Sequence, residues 1–124
     1  IRMLARRRIH VAGARILILG LAFKENCPDL RNTRVVDIVR ELVGFHATVD
    51  VHDPWVDAAE ALHEYGIAPI DTPEPDRYDA IILAVAHEQF RELGAEGIRA
   101  LGKAEHVLYD IKGVLPRDAV DARL

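Results

Sequence analysis

With one cysteine, Cys27, among 124 residues, the chain has no internal disulfide to form, and its fold must be held by a core alone. It has no run of about 18 apolar residues, which excludes a membrane-spanning helix. A formal charge of −4 at pH 7 gives little basic surface for displacing counterions along a phosphate backbone, so general nucleic-acid binding is not expected. None of the six histidines stands at ligand spacing with cysteine or carboxylates, and no metal site is predicted. The arginines at positions 2, 6, 7 and 8 are not followed by the apolar stretch of a secretion signal. Together with the unpaired thiol, this predicts a reducing, cytoplasmic setting.

Half of the residues are apolar and 29% are charged, the balance of a globular chain with room for one core. The lack of a starting methionine suggests a piece of something longer. Residues 1–12 are read as the basic tail of a preceding helix or linker, and residues 13–124 as the domain.

Residues 15–20, Arg-Ile-Leu-Ile-Leu-Gly, form a continuous apolar run closed by glycine, the pattern of a strand buried on both faces. Asn32 or Thr33 can cap a helix in which Val35, Ile38, Val39, Leu42 and Val43 recur at helical spacing up to Gly44. A strand follows over residues 47–52, broken by Asp53-Pro54, then a helix over residues 56–65 that stops at Gly66. Residues 67–70 have the composition of a short strand, and a proline-rich connection leads to a buried strand over residues 79–85. Short helices from His87 and over residues 95–101 precede a strand over residues 106–110. Alternating strands and helices imply a three-layer α/β/α sandwich with a mainly parallel, Rossmann-like sheet. Ligands of such sheets sit beyond the carboxyl ends of the strands, where Lys24, Asp53, His87 and Lys112 fall.

The connector after the first strand is the most informative stretch. Loops between a strand and the next helix usually take about 2–6 residues. This one runs from Leu21 to about Asn32 and carries Lys24 and Arg31 beside a helix start, whose free N–H groups favour anions. A dinucleotide site with Gly20 as the turn and Asp53 as the ribose acceptor fails on spacing. Ala22 and Glu25 stand where a G-x-G-x-x-G fingerprint needs glycine, and the glutamate adds charge of the wrong sign. Asp53 is expected to order the turn before Pro54. His87 fits either the ligand edge or a helix-start surface position, and the second is favoured. Trp55 is assigned to packing. The residues alone also fit a stand-alone Rossmann-like module binding another phosphate ligand, or a structural assembly domain.

The run from Leu19 to Thr33, L-G-L-A-F-K-E-N-C-P-D-L-R-N-T, followed by Val51-His52-Asp53-Pro54 and Asp110-Ile111-Lys112-Gly113, resembles the C-terminal domain of the UDP-glucose/GDP-mannose dehydrogenase family. It is most similar to the branch that oxidises UDP-N-acetylhexosamines. The resemblance implies a bacterial or archaeal enzyme of polysaccharide precursor synthesis that uses two NAD+ to carry a sugar C6 alcohol to a carboxylate. NAD would be held by an N-terminal domain, and a central helical domain would make a homo-oligomer. The segment in hand would close over the UDP part of the substrate, with the catalytic cysteine and lysine upstream and no catalytic residue of its own. Cys27 then packs the loop. Lys24 matches the family lysine that reaches the nucleotide sugar, and Phe23 an aromatic position beside uridine and ribose. Arg31 matches as well, as a phosphate ligand or as the partner of Asp29, with the structural pairing favoured. Lys112 stands where many relatives carry arginine, which keeps the charge and loses the bidentate fork.

Overall fold

A computed structural model of the chain describes residues 9–31 and 33–123, so the basic segment 1–8 and Asn32 lie outside the described residues. Strand β1 (Arg15–Leu19) leads through the long loop to helix α1 (Val35–Gly44), then β2 (Thr48–His52) and α2 (Ala58–Tyr65). Strand β3 (Tyr78–Leu83), helix α3 (Glu88–Arg99), β4 (Gly102–Asp110) and a two-residue β5 (Ala122–Arg123) complete the order. The five strands among the described residues form one sheet in the order β2-β1-β3-β4-β5, with every pairing parallel.

Register decides which side chains meet. Ile16 pairs with Ala80 and Ala80 with Val107 on one face, while Leu17, Ile81 and Leu108 align on the other. The first face carries α1 through Val35, Val36, Val39 and Leu42, together with Ala61 of α2. The second carries α3 through Phe90 and Ile98, so helices cover both faces of the sheet. Burying each of these large apolar side chains contributes about 1.5–3 kcal/mol, which is how a chain without disulfides closes its core.

The structure corrects several local expectations. Val43 is exposed and Val36 buried, because the stripe on α1 turns by one position relative to the spacing read from the sequence. Gly44 belongs to the helix, and the left-handed turn after it falls on His46, at φ 67°. Residues 67–70 form no strand; Ile70 ties them to β2, its N–H donating to the Val51 carbonyl at 2.8 Å and its carbonyl lying 3.1 Å from His52 Nδ1. Strand β4 starts at Gly102, earlier than its apolar run, with a register shift in its pairing with β3 between Tyr78 and Ala80. The two short helices after His87 are joined across Gly94, whose φ of 66° and ψ of 177° break the helical path. Asp57 caps α2 by accepting the Ala59 N–H at 2.9 Å, and Gly66 ends it at φ 70°, as its position predicted.

Candidate functional site

In the strand order 2-1-3-4-5 the connections leave β1 and β3 in opposite directions, and the crevice between their carboxyl ends is where ligands of doubly wound sheets bind. Gly20, at φ 106°, ends β1 there. A Cβ on it would stand 2.6 Å from the Cβ of Val85 and 2.8 Å from its backbone nitrogen, so only glycine lets the two exits pass. The crevice holds a cleft of about 210 Å³. Exposed Phe23, Arg34 and Lys112 line it together with the more buried Val35, Ile38 and Val85. An apolar wall bordered by cations suits a ligand with a flat ring and an anionic group. Lys112 is placed by Asp110, whose fully buried carboxylate accepts the N–H groups of Lys112 at 3.1 Å and Leu115 at 2.8 Å.

The loop between β1 and α1 closes on itself. The Thr33 hydroxyl donates to the Leu21 carbonyl at 2.7 Å and accepts the Val35 N–H at 3.2 Å, joining the start of the loop to the first turn of α1. Phe23 N–H donates to the Asp29 carbonyl at 2.7 Å, and the Tyr65 hydroxyl donates to the Leu30 carbonyl. Leu30 is buried beneath this arch.

Asp53 holds the arch from below. Its Oδ2 accepts the N–H groups of Leu21 at 2.7 Å and Ala22 at 2.9 Å, while Oδ1 accepts the Trp55 N–H at 2.8 Å. The last contact is the turn-ordering role expected of it; the others reach across the sheet edge. His87 Nε2 lies 2.9 Å from the same Oδ2, and His87 Nδ1 accepts the Asn26 N–H at 2.9 Å. Because Nδ1 accepts, the proton sits on Nε2 and is donated to the carboxylate. Burial pushes the Asp53 carboxyl up, but the hydrogen bonds from His87, Leu21, Ala22 and Trp55 outweigh it and hold the group below the ordinary carboxylate value. Asn26, at φ 51°, also uses its side-chain oxygen to accept the Glu88 N–H at 2.9 Å, capping α3 from the loop. His87 is thus no surface residue: it is fully buried, because β1 lies between β2 and β3 and the residues that follow those two strands meet beneath its exit.

The structure separates the four residues singled out in the sequence. Phe23 and Lys112 share the cleft. Lys24 is exposed beside Phe23 on the loop and does not line the cleft wall. Arg31 has its fork on Asp29, with Nε 3.0 Å from Oδ1 and a terminal nitrogen 3.1 Å from Oδ2, and the guanidinium lowers the Asp29 carboxyl. Sequence reasoning passed over Arg34, which lines the cleft at the N-terminus of α1, and Asn26, whose type is among the few that tolerate a left-handed turn.

The residues present do not fit a dinucleotide. The N–H groups of Leu21 and Ala22, at the turn where a pyrophosphate would sit, are taken by the Asp53 carboxylate. Asp53 in turn is buried and already receives four donors, so it is not presented to a ribose hydroxyl. Nor does His87 serve Cys27 as a base, since both ring nitrogens are committed.

Residues 17–117 match the family model described as the UDP binding domain of the UDP-glucose/GDP-mannose dehydrogenase family. The chain is 63% identical over all 124 residues to a UDP-N-acetyl-D-glucosamine 6-dehydrogenase of Pseudomonas aeruginosa, and 52% identical to one of Salmonella typhi. It spans 29% of the length of each of these relatives. Among solved structures, a UDP-glucose dehydrogenase of Pyrobaculum islandicum superposes with a TM-score of 0.72 at 27% identity, covering 98% of this chain and 27% of the other. A UDP-D-ManNAc dehydrogenase of Pyrococcus horikoshii shares the fold at a TM-score of 0.78 and 24% identity, covering 98% of this chain and 28% of the other. The chain belongs to the UDP-glucose/GDP-mannose dehydrogenase family, as its UDP binding domain.

Proposed function

We propose that this chain is the substrate-nucleotide-holding part of an NAD-dependent nucleotide-sugar 6-dehydrogenase acting on a UDP-N-acetylhexosamine in the cytoplasm, in the supply of uronic acids for polysaccharides. The observation that carries the reading is the cleft at the switch point, where an exposed aromatic ring and two cations, Phe23, Arg34 and Lys112, border an apolar wall. The names of the relatives at 63% and 52% identity favour the N-acetylglucosamine form of the substrate. NAD and the reacting groups belong to parts of the protein outside this chain.

The role is positional. Phe23 supplies a face for uracil, while Lys112, Arg34 and the N-terminus of α1 attract the diphosphate, with Lys24 reaching it from the loop. Holding the nucleotide spends binding energy far from the reacting carbon to orient the sugar C6, as remote contacts do in enzymes. Calorimetric titration with UDP, repeated with Lys24→Ala and Lys112→Ala and with NAD+ as competitor, tests it. UDP binding that weakens in both variants and is indifferent to NAD+ is the expected result. NAD+ binding in place of UDP overturns the reading.

A further inference from the structure

Phe23, Lys24 and Glu25 are exposed, yet the residues on either side of them are not free. Leu21 and Ala22 are fastened through their N–H groups to Asp53, and Asn26 through its N–H to His87 and through its side chain to the start of α3. Asp53 and His87 bond to one another with both side chains out of water. The short exposed segment is therefore clamped at both ends by one buried pair. Trp55 closes the side of the pair, its ring 6.2 Å from that of His87 and its Nε1 donating to Gln89 at 2.9 Å.

We infer that the Asp53–His87 pair is a positioning device for nucleotide-diphosphate binding: it holds the Phe23–Lys24 segment in its ligand-binding geometry before the ligand arrives. The inference rests on the function proposed above and adds two residues that touch no ligand. The Asp53 carboxylate is an internal anion on the backbone donors of the turn, so the loop is ordered whether or not phosphate is present. A loop ordered in advance loses less freedom on binding, and its one lysine is delivered at a fixed place. With the pair broken, the same lysine hangs from a mobile loop and its contribution to affinity is diluted over many conformations.

The test uses the complete protein that carries this chain, with UDP as the probe. His87→Gln keeps a donor toward Asp53 and loses the ring nitrogen that accepts from Asn26; Asn26→Gly suits the left-handed backbone, removes the bond to Glu88 and adds the backbone freedom of glycine to the loop. Each is expected to raise the UDP dissociation constant, His87→Gln by about tenfold, the scale set by re-ordering a small number of loop residues. The decisive readout is a cycle with Lys24→Ala. In the wild-type background Lys24→Ala weakens UDP binding; in the His87→Gln background the same change is expected to matter several-fold less. Amide hydrogen exchange at Leu21, Ala22 and Asn26 accelerates in His87→Gln while the strands stay protected. An undiminished Lys24 effect in the His87→Gln background, with exchange at the loop accelerated, overturns the inference while leaving the nucleotide site standing. Failure of the wild-type protein to bind UDP overturns the functional reading and this inference with it.

Discussion

His87 Nε2 donates to Asp53 Oδ2 at 2.9 Å, and neither side chain reaches water. The two residues follow different strands and lie 34 positions apart, and the chain between them includes all of α2 and β3. The ring is held in one tautomer because the backbone of Asn26 donates to its other nitrogen. Nitrogen-15 spectra of the histidine rings are expected to show His87 with a protonated Nε2 and an unprotonated Nδ1. A protonated Nδ1 would contradict the arrangement.

Truncating the carboxylate removes an acceptor from four donors at once. Asp53→Ala strands the buried N–H groups of Leu21 and Ala22 and the His87 ring, and is expected to cost on the order of 3–5 kcal/mol of folding stability by denaturant titration. Asp53→Asn keeps one acceptor oxygen and lies between.

Acid should act on the same group. The folded state holds the Asp53 carboxyl below the ordinary carboxylate value, so its contribution is fully present above that ordinary value and is lost as the pH falls through the depressed folded one. The stability difference between the wild type and Asp53→Asn is expected to be flat at neutral pH and to shrink only below about pH 4. A difference that already shrinks between pH 7 and 5 would show that another titrating group dominates.

Two glycines at positive φ differ in how crowded they are. Gly66 sits at φ 70° with nothing within 4 Å of a Cβ, whereas Gly20 sits at φ 106° with Val85 at 2.6 Å. Gly66→Ala is expected to cost about 1 kcal/mol, the left-handed penalty alone. Gly20→Ala adds a collision with the backbone of β3's exit and should cost on the order of 3 kcal/mol or more. Melting of the two variants side by side checks the contrast; equal losses would place the cost in the backbone angle and not in the close approach at the switch point.

How far the sequence could be read follows from where each signal resides. The strands at residues 15–20 and 79–85 were legible because buried parallel strands are nearly continuous apolar runs, and the end of α2 was marked by Gly66; its start, set by the Asp57 cap, falls at Ala58, later than residue 56. The register of α1 was misread by one position, since Val36 and Val43 are equally apolar and only packing chooses between them. β5 has two residues and no pattern to detect, and the start of β4 is polar, made a strand by its pairing with β3. At the site, Phe23, Lys24, Arg31 and Lys112 were visible as types in a loop or at a strand end. The Asp53–His87 contact was not, because it depends on strand order: only with β1 between β2 and β3 do the residues after the outer two meet. Arg34 was hidden among several charged residues around the helix start.

The cations near the cleft should not contribute alike. Lys24 and Lys112 have no acidic partner within ion-pair distance among the described residues, whereas the Arg31 fork is on Asp29. A phosphate must compete with that carboxylate for Arg31, but meets the lysines against water alone. A charge-assisted bond to phosphate contributes about 1.5–3 kcal/mol, which corresponds to roughly ten- to hundredfold in dissociation constant. Lys24→Ala and Lys112→Ala are each expected to weaken UDP binding within that range, and Arg31→Ala by less than threefold unless the loop itself loosens. Hydrogen exchange at Phe23, whose N–H donates to the Asp29 carbonyl, distinguishes that case. Added salt should erode the lysine effects, since exposed charges are screened over about 8 Å at physiological ionic strength. If Arg31→Ala instead weakens binding as strongly as Lys24→Ala with the loop still protected, the Asp29 pairing must open in the complex, and Arg31 then belongs with the ligand-binding cations.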